Sequence, residues 1–484
     1  MTTQNYTKQY INGEWGDGSS TKKVKNLNPY TNEVLQEIPS ANQDDLNHAY
    51  ESAANAQQDW ATLAPAQVQQ KFDALLQKMN ERKEEIISWL VAESGSTKIK
   101  AQVEFQAVLA IVKESSSFPT RMQGAILPSN VQGKNNYVER APKGVIGVIG
   151  PWNFPFHLAL RSIAPAIASG NTVVVKPASE TPLTSGLLIA ELFEQAGFPS
   201  GVINVVVGRG SEIGDAFVTH PTPQLISFTG STEVGSHIGE LAGKHIKDTA
   251  LELGGNNAMI VLEDAHIDQA IQAAAFGKYL HQGQICMSLN RIIVHESIYD
   301  QFAEAFAEKV KQLKAGDPSE QDTVIGPLIN HDAVERIQQD VEESVKQGAT
   351  KLVSGEVHGN LMEPVVLADV SNDMPIANNE IFGPVATLIK VKDEQEAIEV
   401  ANGSPYGLSG SIFTTDRYRG MEVARKIETG MIHINDQPVN DEAHVAFGGE
   451  KQSGIGRFGG EWALNKFTTV KWISVQSEYR QYPF

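Results

Sequence analysis

Cys286 is the only cysteine in 484 residues. A lone thiol is either a small buried hydrophobe or a nucleophile, and a nucleophile must become a thiolate with help from nearby dipoles or a base. It sits in Gly283-Gln284-Ile285-Cys286-Met287-Ser288, where the glycine lets a ligand approach the sulfur. Glu252 ends an apolar strand in Leu251-Glu252-Leu253-Gly254-Gly255. A carboxylate there is either exposed or placed in a site, and partial burial would raise its pKa into the range of a general base near neutral pH. Asn153 lies in Gly150-Pro151-Trp152-Asn153-Phe154-Pro155, just past another strand. Its amide can donate to an oxyanion, with a helix N-terminus behind it; turn chemistry is the plainer reading of the same residues.

Two glycine-rich turns compete for a dinucleotide. Residues Gly208 to Gly214 read GxGxxxG, and Gly230 to Gly235 read GxTxxG with Ser231 second. Neither is the standard GxGxxG, but both follow a strand and open a helix in consecutive units. Lys176, at the end of its strand, can reach ribose hydroxyls or simply be a solvated strand end. The 12 histidines form no HExxH, and CxxC is absent, so no metal site is expected.

These residues need elements to hold them. Residues 45–118 read as helices, with apolar residues at helical spacing across 68–90. From residue 145 short β-rich runs alternate with helix-like stretches: 145–149, 172–176, 202–207, 224–228 and 249–253. The helix after Lys176 is expected to open at Thr181 as N-cap with Pro182 at N1 and to end at Gly197. This order implies a parallel sheet covered on both faces, with ligands at the carboxyl ends of its strands. A second α/β unit follows Gly254, with strands at 257–262, 291–294, 365–367, 385–391, 410–413 and 431–434. Two alternating segments, 136–140 and 466–475, stand outside both units and read as edge strands or as a small sheet that pairs with another subunit.

Length suggests two or three domains. Hydrophobic residues make up 41% and charged residues 20%, the profile of a globular chain. The formal net charge of −19 argues against nucleic-acid binding. No apolar run reaches membrane-spanning length, the first residues lack a signal peptide's apolar stretch, and one cysteine forms no internal disulfide; a cytoplasmic protein is expected.

Pro151-Trp152-Asn153-Phe154-Pro155, Lys176-Pro177, Phe228-Thr229-Gly230-Ser231-Thr232, Glu252-Leu253-Gly254-Gly255, Gly283-Gln284-Ile285-Cys286, Glu380-Ile381-Phe382-Gly383-Pro384 and Phe447-Gly448-Gly449 resemble the ordered motifs of the aldehyde dehydrogenase superfamily, over residues 10–475. The resemblance implies an α/β fold: a Rossmann-like dinucleotide-binding domain (1–122 and 142–253), a second α/β catalytic domain (254–450) and a small β oligomerisation sheet (123–141 and 466–484) of a homodimer or homotetramer. It implies Cys286 as nucleophile, Glu252 as general base, and Asn153 with the Cys286 amide as oxyanion hole. For NAD or NADP it implies Lys176 and Glu380 at the riboses, Phe382 beside the nicotinamide, and Ser231 with Trp152 at the pyrophosphate. Members strict for NAD often carry a glutamate three residues after the lysine; here Ser179 stands there and Glu180 follows, so dual cofactor use with a slight lean to NAD is expected. The stretch 281–291 is similar to the benzaldehyde and vanillin dehydrogenase branch. Phe154, His157, Ile285, Met287 and Phe447 are the expected pocket for an aromatic aldehyde, with aliphatic aldehydes or semialdehydes as the alternative. Arg161, a turn past His157, either reaches a polar ring substituent or is a surface or structural arginine.

Overall fold

The computed structural model describes residues 6–484. Four long helices, Gln43–Ala61, Pro65–Glu81, Lys83–Ser94 and Lys98–Ser115, divide the stretch expected to be helical. The first opens on a reciprocal cap, in which Asn42 accepts from Asp44 and Asp45 and the Asp45 carboxylate accepts from the Asn42 amide.

The first sheet has eight strands in the order Glu14–Gly16, Gln9–Ile11, Ile203–Val205, Thr172–Lys176, Val145–Ile149, Leu225–Thr229, Asp248–Glu252 and Gly454–Ile455. The middle five are parallel, as the alternation of runs and helices implied. The chain builds outward from Val145–Ile149 first to one side, then returns to build to the other. The strand order therefore reverses between Val145–Ile149 and Leu225–Thr229, and the carboxyl ends at such a switch point are where α/β sheets bind ligands. Thr172–Lys176 and Leu225–Thr229 are buried throughout, because helices cover both faces. The three outer strands are antiparallel and short, and lack the long apolar runs that marked the others.

The second sheet orders Thr350–Val353, Val365–Ala368, Val385–Val391, Leu289–His295, Asn257–Val261, Gly410–Phe413 and His433–Ile434, parallel except for its first strand. After leaving it, the chain comes back to the first sheet as Gly454–Ile455, beside Glu252. A third sheet joins Ala125–Leu127, Lys134–Pro142 and Thr468–Gln476, the last two paired over nine residues. Its strand starts at Thr468 and not at 466, because Lys466 ends the helix Gly460–Lys466.

One cap differs from expectation. Thr181 does not cap the helix after Lys176. The chain begins there as a π-turn, Leu183–Leu187, before the α-helix Leu188–Gln195. The free amides of Leu183 and Thr184 are satisfied by the buried carboxylate of Glu93, at 2.8 Å each, and Glu93 also accepts from the Thr184 hydroxyl. A cap delivered from a different helix leaves no local signature. The helix does end at Gly197, in a left-handed turn closed by the Phe198 amide on the Phe193 carbonyl. No described helix is long and apolar enough to cross a membrane.

Candidate active site

Glu252 is the last residue of its strand, at the carboxyl end of the first sheet. It is only 1% exposed, and neither carboxylate oxygen has a hydrogen-bond partner among the described residues. A carboxylate buried without donors resists ionisation. Burial pushes its pKa up to about 8, opposed by the Arg161 charge and reinforced by Asp441.

Cys286 sits in the loop between the helix Ile267–Tyr279 and the strand Leu289–His295 of the second sheet. The loop is gripped from two sides. Asn257 Nδ2 donates to the carbonyls of Cys286 and Ser288, at 2.7 and 2.8 Å. The loop approaches Gly255 so closely that a Cβ there would overlap the Cys286 carbonyl oxygen. Upstream, His281, Gln282 and Gly283 all have positive φ, and a Cβ on Gly283 would overlap the Gly383 carbonyl. Burial pushes the Cys286 thiol up to about 12; the Arg161 guanidinium counteracts this, while the Glu380 and Glu252 charges add to it.

Asn153 is buried, and its Nδ2 donates to the Gln284 carbonyl at 3.0 Å. One of its two amide protons is therefore engaged with the cysteine loop, and the second remains for a ligand oxygen. The Cys286 backbone amide has no acceptor among the described residues.

Phe154, Ile285, Met287 and Phe447 share one apolar cluster with Leu158 and Phe458, and Cys286 packs against it. His157 lies at its edge, its Nε2 3.3 Å from Asp441 Oδ2, and burial drives its pKa down to about 4. Arg161 is not a surface arginine. It is 4% exposed, reaches Asp441 at 3.3 Å, and lies over the rings of Phe447 and Phe458 at 4.1 and 5.0 Å. Its Nε and Nη2 have no partners among the described residues. Asp441 was not anticipated; a carboxylate 280 residues from its arginine carries no signal in spacing. The same holds for Asn257, although its place two residues after Gly255 puts it on the strand that faces the cysteine loop.

Of the groups expected around a dinucleotide, Ser231 and Trp152 follow the two strands at the switch point, and Phe382 meets Trp152 from across it. Ser231 caps the helix Thr232–Lys244 by accepting from the Val234 amide. Lys176 is buried; burial lowers its pKa, the Glu180 charge opposes this, and no protein oxygen among the described residues accepts from its ammonium. Such an orphaned donor fits a ribose diol. Ser179 lies half-buried beyond it, with Glu180 exposed. Trp152 meets Phe382 edge to face, with ring centroids 5.5 Å apart, and Phe382 holds a left-handed φ of 49°. Glu380 Oε1 accepts from the Gly255 amide at 2.9 Å, and burial raises its pKa to about 7. Gly208 lies buried against Ile213, while Glu212 of the same turn binds Ser40 and Lys22. Of the two glycine turns, the one at Gly230 and Ser231 borders the switch point. Among the described residues no group of His, Cys, Asp or Glu could hold a metal ion.

A thiol, a partner-free buried carboxylate and an amide donor near the switch point of a parallel sheet are groups able to carry redox chemistry through a covalent intermediate. The aldehyde dehydrogenase family model matches residues 15–473, and the chain belongs to that family. It is 50% identical over 477 residues to the benzaldehyde dehydrogenase YfmT of Bacillus subtilis strain 168, covering 99% of this chain and 98% of that protein. It is also 50% identical to the vanillin dehydrogenase of Corynebacterium glutamicum, over 97% of this chain and 98% of the relative. The crystal structure of an NAD-dependent benzaldehyde dehydrogenase from Corynebacterium glutamicum superimposes with a TM-score of 0.92 at 46% identity, covering all of both chains.

Proposed function

We propose that this protein oxidises an aromatic aldehyde of the benzaldehyde or vanillin type to its carboxylic acid, using NAD or NADP. What supports the reading is that the Glu252 and Arg161 charges act on the buried Cys286 thiol, that Asn153 Nδ2 donates to the Gln284 carbonyl two residues before that cysteine, and that Arg161 lies over the Phe447 ring, within the apolar core that also holds Phe154, Leu158, Ile285 and Met287. The similarity to benzaldehyde and vanillin dehydrogenases supports the aromatic substrate.

The Cys286 thiol gives its proton to solvent, and the sulfur bonds to the aldehyde carbon as the carbonyl π pair moves onto the oxygen. The oxygen that gains the charge lies against the free Asn153 amide proton and the Cys286 backbone amide; losing one such donor typically costs ~10²–10³ in rate. Lys176 and Glu380 would hold the riboses, Ser231 and Trp152 the pyrophosphate, with Gly208 on the turn after Ile203–Val205 farther along the same sheet edge, Ser179 beside the adenosine ribose and Phe382 beside the nicotinamide. When bound, the nicotinamide cofactor supplies the acceptor for the hydride that leaves the carbonyl carbon. The carbon then remains joined to Cys286 as a thioester. Glu252, ionised, takes a proton from water as the water oxygen attacks that carbon, and the acid leaves as the sulfur regains a proton. A base for water favours hydrolysis over transfer to coenzyme A.

In this reading residues 1–122 and 142–253 bind the dinucleotide, 254–450 carry the cysteine, and 123–141 with 466–484 join copies into a homodimer or homotetramer in the cytoplasm. The test is an aldehyde panel run with each cofactor. Benzaldehyde and vanillin should exceed propanal in kcat/KM by about tenfold or more, the scale of discrimination by apolar pocket contacts. Both cofactors should work, with NAD slightly ahead, because Ser179 neither repels a 2′-phosphate nor binds the diol as a carboxylate would. Cys286→Ala should abolish oxidation and still bind NAD. Equal or better rates with propanal or a semialdehyde would replace the aromatic reading, and full activity in Cys286→Ala would end the mechanism.

A further inference from the structure

A second buried cluster lies directly behind the oxyanion donor. Lys100 and Glu104 stand one turn apart on the helix Lys98–Ser115, both fully buried, with Nζ 2.5 Å from Oε2. Lys100 Nζ also donates to Ser96 Oγ at 2.9 Å and to the Asn153 carbonyl at 2.7 Å. All three of its protons are thus used, and the ammonium sits 4.0 Å from the centroid of the Phe154 ring. The other oxygen of Glu104 accepts from the amides of Phe156 and His157, at 3.0 and 3.1 Å.

Those two amides open the helix Pro155–Ala168, which starts on proline and has no side-chain cap of its own. Lys100 therefore holds the carbonyl just before the helix, and Glu104 holds the first free amides just inside it. Together they clamp residues 153–157 from one side, while the Gln284 carbonyl holds the Asn153 side chain from the other. A well-packed apolar pair of the same volume would fill this space without the cost of burying two charges, so packing alone does not call for them. What the charges add is direction, because hydrogen bonds to ions are strong and geometrically demanding.

We infer that Lys100 and Glu104 are positioning residues for the oxidation step: by pinning the Asn153 peptide and the start of its helix, they aim the Asn153 amide at the oxygen of the reacting carbonyl. The inference rests on the reading of Asn153 as oxyanion donor, and its test separates the two. The measurement is a double-mutant cycle of Lys100→Met with Asn153→Ala, followed by single-turnover NADH formation from benzaldehyde and by NAD binding. Asn153→Ala should slow the turnover by ~10²–10³-fold. Lys100→Met alone should slow it by about 10–10²-fold, as expected when a reacting group is misplaced by about 1 Å. NAD affinity should change by less than about twofold, since Lys176, Ser231 and Glu380 stand on other elements. The double variant should be no slower than Asn153→Ala, because a clamp has no effect once its cargo is gone. Lys100→Met/Glu104→Leu, which removes both charges at similar volume, keeps the test open if the single variant misfolds; it should bind NAD and show the same slow turnover. Multiplying effects in the cycle, or wild-type turnover in the folded charge-free pair, would overturn the positioning role. An undiminished Asn153→Ala would instead overturn the oxyanion reading itself.

Discussion

Glu252 shows what burial does to one side chain. Its ordinary carboxyl value of 4.5 rises to about 8 because no donor meets either oxygen. The protonated form dominates at neutral pH, and the fraction able to act as base grows as pH rises through about 8. The steady-state rate should climb along the same limb wherever thioester hydrolysis limits turnover, and Glu252→Gln should lose that limb along with ~10²-fold or more in hydrolysis. Stability carries the opposite sign. A native pKa above the unfolded one means the unfolded chain ionises first, so Glu252 destabilises the fold increasingly as pH rises from about 4.5 to about 8, and by a constant amount above that. Glu252→Gln should therefore melt at a higher temperature than the wild type at pH 8, with the gap closing toward pH 4.5; equal melting curves at both pH values would refute the burial account. Arg161 belongs to the same scale, since its charge is the leading influence that favours the ionised forms of both Glu252 and Cys286.

At the scale of elements, the cysteine loop is held by contacts between strands of different sheets' ends more than by its own sequence. The turn after Glu252 passes under it at Gly255, and Asn257 two residues on ties down its carbonyls. Gly255→Ala would force the Cys286 carbonyl away from the turn and break its bond to Asn257 Nδ2. A shift of about 1 Å at a reacting group costs ~10² in rate, so this substitution should depress kcat on that scale. Circular dichroism should stay native; unchanged kcat would show that the close approach does not set the geometry. The Gly254-Gly255 pair after Glu252 stood out in the sequence, but the carbonyl that approaches Gly255 comes from a loop some thirty residues later in the chain.

At the scale of the molecule, the third sheet carries a group of exposed apolar side chains. Ile126, Leu127, Val470, Trp472 and Val475 are all exposed on it, Trp472 at 66%. Val470, Trp472 and Leu127 lie on one face and Ile126 and Val475 on the other, and apolar exposure on a sheet with free edges invites pairing with another chain. Val470→Glu with Trp472→Glu should reduce the particle size measured by light scattering after gel filtration; an unchanged mass would move the subunit interface elsewhere. The apolar alternation of both segments was legible in the sequence. Their union into one nine-residue ladder joins residues more than three hundred positions apart, which no local pattern encodes.

Sequence alone determined the family and the parallel core. Cys286, Glu252 and Asn153 stand in motifs specific enough to name the family, and strands such as Val145–Ile149, Thr172–Lys176 and Val385–Val391 follow from continuous apolar runs, because a strand buried on both faces must be apolar along its length. Tertiary structure decided the environments and the braces: the donor-free burial of Glu252, the pairing of Arg161 with Asp441, the Glu93 cap on a distant π-turn, and the Lys100–Glu104 clamp behind Asn153. Each of these depends on which polar groups burial brings together. Hydrogen bonds and ion pairs between distant segments have no period and no fixed spacing, so only the folded chain reveals them.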